Sequence, residues 1–299
     1  MAKPRNKMLM LAFDKTYLES GLEDISKTTL HVPNDHAFSL SKRHPDHCVA
    51  ATSVHPYRAD CEIELERSAR RGVRVIKWLP NSMLIDPLSE KCDRFYRAAA
   101  RLDMVILCHT GEEHSVSSAA LHNELGNPLR LRRALDHGCK VIAAHLATEG
   151  SAVDLDRAAG CALGCAPREE CFKLLLRLLR DPKYDGLLFA DFSAIIAIKR
   201  AKYLEAILCD AALHGKLVYG SDYPVPCLNF AVVLRQLQLY GHLRGDQVRV
   251  LRKVYRYNPL LFDVLCKRML RSKTNAALPA SAFYEHPALR IKGWTCPLK

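Results

Sequence analysis

The chain of 299 residues has no unbroken apolar run of the ~18 or more residues that a membrane-spanning helix needs, because charge interrupts the longest ones. The first residues, Met1 to Lys7, carry Lys and Arg, but no sustained apolar core follows them. No secretory leader is read, and a cytoplasmic location is expected. Nor does any helix-turn-helix, zinc finger or RNA-binding aromatic motif accompany the formal charge of +12. That charge lies largely in helical stretches: Arg67, Arg70 and Arg71, then Arg130, Arg132 and Arg133, then Arg244, Arg249, Arg252 and Arg256. Such runs read as solvated outer helix faces, not as a nucleic-acid footprint, and neither nucleic acid nor membrane is expected as a partner. A positive field of this kind would steer an anionic small molecule.

Closely paired cysteines are missing too. Among the 12 Cys, the nearest approach to a cluster is Cys161, Cys165 and Cys171, spaced C-x3-C-x5-C. A zinc knot calls for tighter pairs and two further ligands. Cys61, Cys92, Cys108, Cys139 and Cys209 fall within predicted helices and strands, so they are expected as small buried hydrophobes in a reducing compartment.

What the chain does have is a repeated unit. Met8 to Phe13, Val49 to His55, Val73 to Lys77, Met104 to His109, Val141 to His145, Leu187 to Asp191 and Leu217 to Gly220 are short apolar runs, the pattern of strands buried on both faces. Helical stretches separate them: Asp35 to Arg43 with Asn34 as cap, Asp60 to Gly72, Ser89 to Leu102, Asn127 to Gly138, Glu169 to Arg180 and Lys202 to His214. Phe230 to Tyr240 and Asp246 to Tyr255 follow the last strand, then a short helix after Asn258-Pro259. Alternation of this kind implies a parallel sheet, since a crossover helix returns each strand in the same direction. The expected fold is α/β, a (β/α)8 TIM-barrel-like arrangement with outer helices. Seven strands can be counted where a closed barrel needs about eight, so one is expected to be lacking. Residues 1–271 are read as a single barrel domain and 272–299 as a C-terminal tail.

Chemistry gathers where these strands end. Lys77, His109, His145, Asp191 and Asp222 are spaced by about 30 to 45 residues and fall at the same point of successive units. The carboxyl ends of parallel strands open onto the ligand crevice, so the fold would bring these side chains together. His109, His145 and Asp222 make a plausible ligand set for a first-row metal such as zinc. Lys77 could pair with a carboxylate or hold a substrate anion. Glu112, Glu113 and His114 could line that pocket, but read first as an exposed polar loop.

Ile76-Lys77-Trp78-Leu79-Pro80, Cys108-His109-Thr110-Gly111, Ala144-His145 and Tyr219-Gly220-Ser221-Asp222-Tyr223-Pro224 together resemble the amidohydrolase superfamily. The likeness is to its amidohydrolase-related branch of TIM-barrel metal-dependent hydrolases and decarboxylases, over about residues 8 to 265. The resemblance implies a divalent metal held by His109, His145 and Asp222, with His145 binding metal or polarising substrate. It also implies Asp222 as general base for a metal-activated water, and hydrolysis of an amide, ester or lactone bond in a small-molecule substrate. Non-oxidative decarboxylation on the same site is the alternative. One departure stands out: members begin with a strand ending His-x-His, and this chain contains no His-x-His. A late start in a longer gene or a degenerate, catalytically inactive relative would each account for that. Asp14 or His55 might be recruited instead, though nothing in the spacing argues for it. Oligomeric state, homo-oligomers included, stays open.

Overall fold

Each of the seven apolar runs forms a parallel strand. The structure is a computed structural model that describes residues 7–116, 119–158, 165–225, 228, 232, 234–284 and 286. The strands are β1 (Met8–Met10), β2 (Cys48–Ala50), β3 (Val75–Trp78), β4 (Val105–Cys108), β5 (Lys140–Ala143), β6 (Leu188–Asp191) and β7 (Leu217–Val218). Parallel ladders join β1 to β2 and run from β3 through β4, β5 and β6 to β7, and a parallel bridge from Thr52 to Ile76 links the two sets. The strands therefore lie side by side in chain order, the winding expected of a barrel of βα units. Among the described residues no ladder joins β7 back to β1.

Helices fill the connections: α1 (Asn34–Arg43), α2 (Cys61–Arg70), α3 (Asp93–Arg101), α4 (Arg132–Asp136), α5 (Cys171–Leu179) and α6 (Leu204–Cys209). After β7 come α7 (Leu234–Leu239), α8 (Gly245–Tyr257) and α9 (Pro259–Met269). None of the described helices is long and apolar enough to cross a membrane.

Several local expectations are corrected. Asn34 does not cap α1, whose N-cap is Pro33. Its amide instead brackets the Ser53 backbone, accepting from Ser53 N at 2.7 Å and donating to Ser53 O at 2.9 Å, so it ties the helix start to the strand-two run. Arg168–Glu170, expected to open a helix, pairs antiparallel with Ser151–Val153. Asp210 splits the stretch from Lys202 to His214 by accepting from Leu213 N as the cap of a second short helix. Cys61, Cys92, Cys108 and Cys139 are buried as expected, but Cys209 is exposed. Cys161 and Phe230 lie outside the described residues, as do 285 and 287–299 of the expected tail. From Ser272 to Tyr284 the chain packs on the body: Leu278 and Ala282 are buried, and the Phe283 ring meets Phe192 at 5.4 Å and Tyr219 at 5.7 Å.

The alternation of strand side chains divides the core. Ile76, Ile106, Val141 and Leu188 join the large apolar cluster that includes the helices, whereas Val105, Ile142 and Phe189 form a separate cluster with Leu107 and Val218. The second set occupies the opposite face of the sheet. The register aligns Lys77 with Leu107, Ile142 with Phe189 and Asp191 with Val218. With a period of about two, Lys77, His109, Asp191 and Gly220 continue this inner face toward the strand ends.

Candidate active site

Lys77, His109, His145 and Asp191 are each buried, at 3% to 7% exposure. His109 prolongs β4 by donating its backbone N–H to Trp78 O at 3.0 Å. His145 is out of step with the alternation and reaches the site by a different route. Its φ of 59° is left-handed, as are those of Leu146 (51°) and Ala147 (48°). A non-glycine in that region costs on the order of 1–3 kcal/mol and persists only where its surroundings over-determine it. They do so here: His145 N–H donates to Asp191 Oδ1 at 3.0 Å, and the Thr148 hydroxyl donates to His145 O at 2.6 Å. The turn brings the His145 ring against that of His109, with centroids 5.2 Å apart and planes at 62°.

Burial is the main cause that pushes His109 down to about 4, with Lys77 and Arg200 adding to it and Glu113 and Asp222 opposing. His145 is depressed well below its ordinary range, first by burial and then by Arg200. Both imidazoles are neutral near pH 7. The Lys77 ammonium acts on both rings. Asp222 sits at the rim, half-buried and left-handed at φ 57°, within electrostatic reach of His109.

Three further residues enter the site, and two of them, Arg200 and Ser193, had no signal in the sequence. Glu113, read as part of an exposed loop, is half-buried with Oε2 3.6 Å from His109 Nδ1. Burial works to raise its carboxyl, but His109, hydrogen bonds from Ser115 and Lys77 together hold it below the usual range. Arg200, in the turn after β6, pairs with Glu149 at 2.9 Å. Ser193 lies 2.7 Å from His145 Nδ1. The loops that carry Glu113 and Glu149 meet closely at Gly111, where φ is 92° and an added Cβ would fall 2.6 Å from Glu149 O. Only glycine fits there.

His55 and Asp14 are committed elsewhere. Tyr57 N–H donates to His55 Nδ1 at 3.2 Å and His55 Nε2 donates to Met83 O at 2.9 Å, while Asp14 accepts from His55 N at 2.8 Å and pairs with Arg58.

The expected zinc site is not assembled. Among the described residues no three His, Cys, Asp or Glu side chains are grouped so as to hold a metal ion. His145 Nδ1 is engaged with Ser193, which leaves its Nε2 toward the site, and His109 Nε2 is buried with no hydrogen-bond partner. Asp222 is not grouped with the two imidazoles, which by themselves are one ligand short of the three protein ligands of a catalytic zinc.

No protein-family model matches the chain, and no curated protein sequence does either. Several solved structures resemble it. An uncharacterized TIM-barrel protein from Bordetella bronchiseptica overlays with a TM-score of 0.47 at 12% identity, over 86% of this chain and 78% of that one. A candidate 2-pyrone-4,6-dicarboxylic acid hydrolase from Pseudomonas putida gives a TM-score of 0.47 at 16% identity, over 75% and 78%. A 5-carboxyvanillate decarboxylase from Novosphingobium aromaticivorans, with manganese bound, gives 0.43 at 14% identity, over 72% and 65%. At TM-scores this low the likenesses carry no argument about what this chain does.

Proposed function

We propose that the chain is an enzyme of the amidohydrolase-related type that hydrolyses an amide, ester or lactone bond in a small anionic substrate. The observation that supports this reading is the burial of one cation and two neutral imidazoles at successive strand ends, with Lys77 within electrostatic reach of the paired rings of His109 and His145. Lys77 takes the substrate's carboxylate, because a charge-assisted hydrogen bond is strong where water is excluded. The imidazoles face the reacting bond. Asp222 removes a proton from the attacking water and returns it to the leaving group. A divalent metal, where one is held, would lower the pKa of a bound water towards about 7 and polarise the carbonyl, but no three ligands are grouped for it among the described residues.

A panel of carboxylated amides, esters and lactones, turned over in water enriched in heavy oxygen, tests the reading. Solvent oxygen in the product, lost in Asp222→Asn and in His145→Gln, is the expected result. Turnover is expected to persist in a chelator; loss that zinc restores would return the mechanism to a metal centre. Release of carbon dioxide without solvent oxygen would replace hydrolysis by decarboxylation.

A further inference from the structure

His145 has two ring nitrogens, and which one carries the proton decides what it can do for a substrate. Its Nδ1 lies 2.7 Å from the Ser193 hydroxyl, itself buried. A hydroxyl has one proton to give. That proton is already committed, since Ser193 Oγ donates to Asp191 Oδ1 in a short hydrogen bond. The same oxygen also accepts from Ser193 N at 2.9 Å and from His145 N at 3.0 Å. Three donors converge on Asp191 Oδ1, so that oxygen is an acceptor with no proton of its own. Ser193 must then accept from His145, and Nδ1 must be the donor.

From this we infer that Asp191 and Ser193 form a positioning relay that locks neutral His145 in its Nδ1–H form and leaves Nε2 as an acceptor toward the site. The group that a bare Nε2 meets is an electron-pair acceptor: a substrate O–H or N–H, the attacking water, or a cation. It is not a carbonyl oxygen, which a neutral Nε2 without a proton cannot polarise. The fold provides for the relay in two further ways. Asp191 and Ser193 are two residues apart and share the inner face, while Phe192 between them turns to the helix side and packs on Tyr219 and Phe283. Across the ladder stands Gly220, where an added Cβ would come within 3.0 Å of Ser193 Cβ and 3.5 Å of Asp191 Cγ. A side chain there would press on both members.

The inference rests on the proposed active site only for its consequence, and its test reads no turnover. The full chain, labelled with nitrogen-15 in histidine, is examined near pH 7.5 by long-range proton–nitrogen correlation. The His145 signal is identified by its loss in His145→Gln. The expected result is a protonated Nδ1 and a bare Nε2 for His145, and the loss of that pattern in Ser193→Ala. His55 serves as the folding control in the same spectrum: its partners require the opposite form, Nε2–H, and it should be unchanged in Ser193→Ala. A wild-type His145 found as Nε2–H would overturn the relay, as would a Ser193→Ala spectrum that keeps Nδ1–H with His55 intact. The wild-type spectrum decides the matter even where Ser193→Ala does not fold. Failure of the hydrolase reading, by contrast, would leave the measured tautomer unaltered.

Discussion

Lys77 is a buried cation whose neighbours are two neutral rings, and its contribution should be functional. Lys77→Met keeps the length of the side chain and removes the charge. Loss of one charge-assisted hydrogen bond corresponds to an affinity for carboxylated substrates lower by about 10- to 100-fold. Urea denaturation should show stability unchanged to within about 1 kcal/mol, since no described hydrogen bond is lost and a buried charge is removed. A large loss of stability with unchanged affinity would make Lys77 structural. The buried histidines make a second prediction. His55 and His109 are each held at about 4, against an ordinary value of 6.5, first by burial. As pH falls below 6.5 the unfolded chain takes up protons that the folded chain refuses, so stability present above 6.5 is lost as pH falls towards 4. At pH 5 each histidine should cost on the order of 2 kcal/mol relative to pH 7.5. Denaturant titrations at the two pH values measure it, and equal midpoints would contradict it.

Among elements, α9 decides how the end of β7 is held. Lys267 and Asp263 are wholly buried and pair at 2.8 Å. Lys267 also donates to Gly220 O at 2.8 Å, and the Tyr219 hydroxyl donates to Asp263 at 2.7 Å. Together they clamp the backbone just ahead of Asp222. Lys267→Met alone strands a buried carboxylate and should cost about 3–5 kcal/mol. Adding Asp263→Leu should recover part of that loss in the same denaturation assay; an additive double mutant would mean that the pair is not coupled. This clamp was not legible in the sequence. Asp263 and Lys267 are visible as neighbours on one helix face, but nothing local says that this face meets the last strand. Asn34 makes the same point in reverse: local chemistry favours it as a cap, and a tertiary contact with Ser53 claims its amide instead.

For the whole molecule, the ladders rank the strands by protection. β4 and β5 have hydrogen-bonded neighbours on both sides, whereas among the described residues β1 pairs only with β2, and Met8 on it is 47% exposed. Hydrogen exchange should therefore find the β4 and β5 amides opening only with global unfolding and those of β1 opening sooner. Equal rates would show that the chain opens as one unit.

The seven strands, their parallel order and the placing of Lys77, His109, Asp191 and Asp222 at their ends were determined by the sequence itself, because apolar continuity and period-two alternation are local properties. Tertiary structure alone decided the rest. His145 needs a left-handed turn, held from Asp191, to rejoin the inner face. Arg200 meets Glu149 and Ser193 meets His145 only because segments distant in the chain are packed together. The three residues read from spacing as metal ligands are not grouped among the described residues, since spacing fixes which strand end a residue occupies but not where its side chain lies.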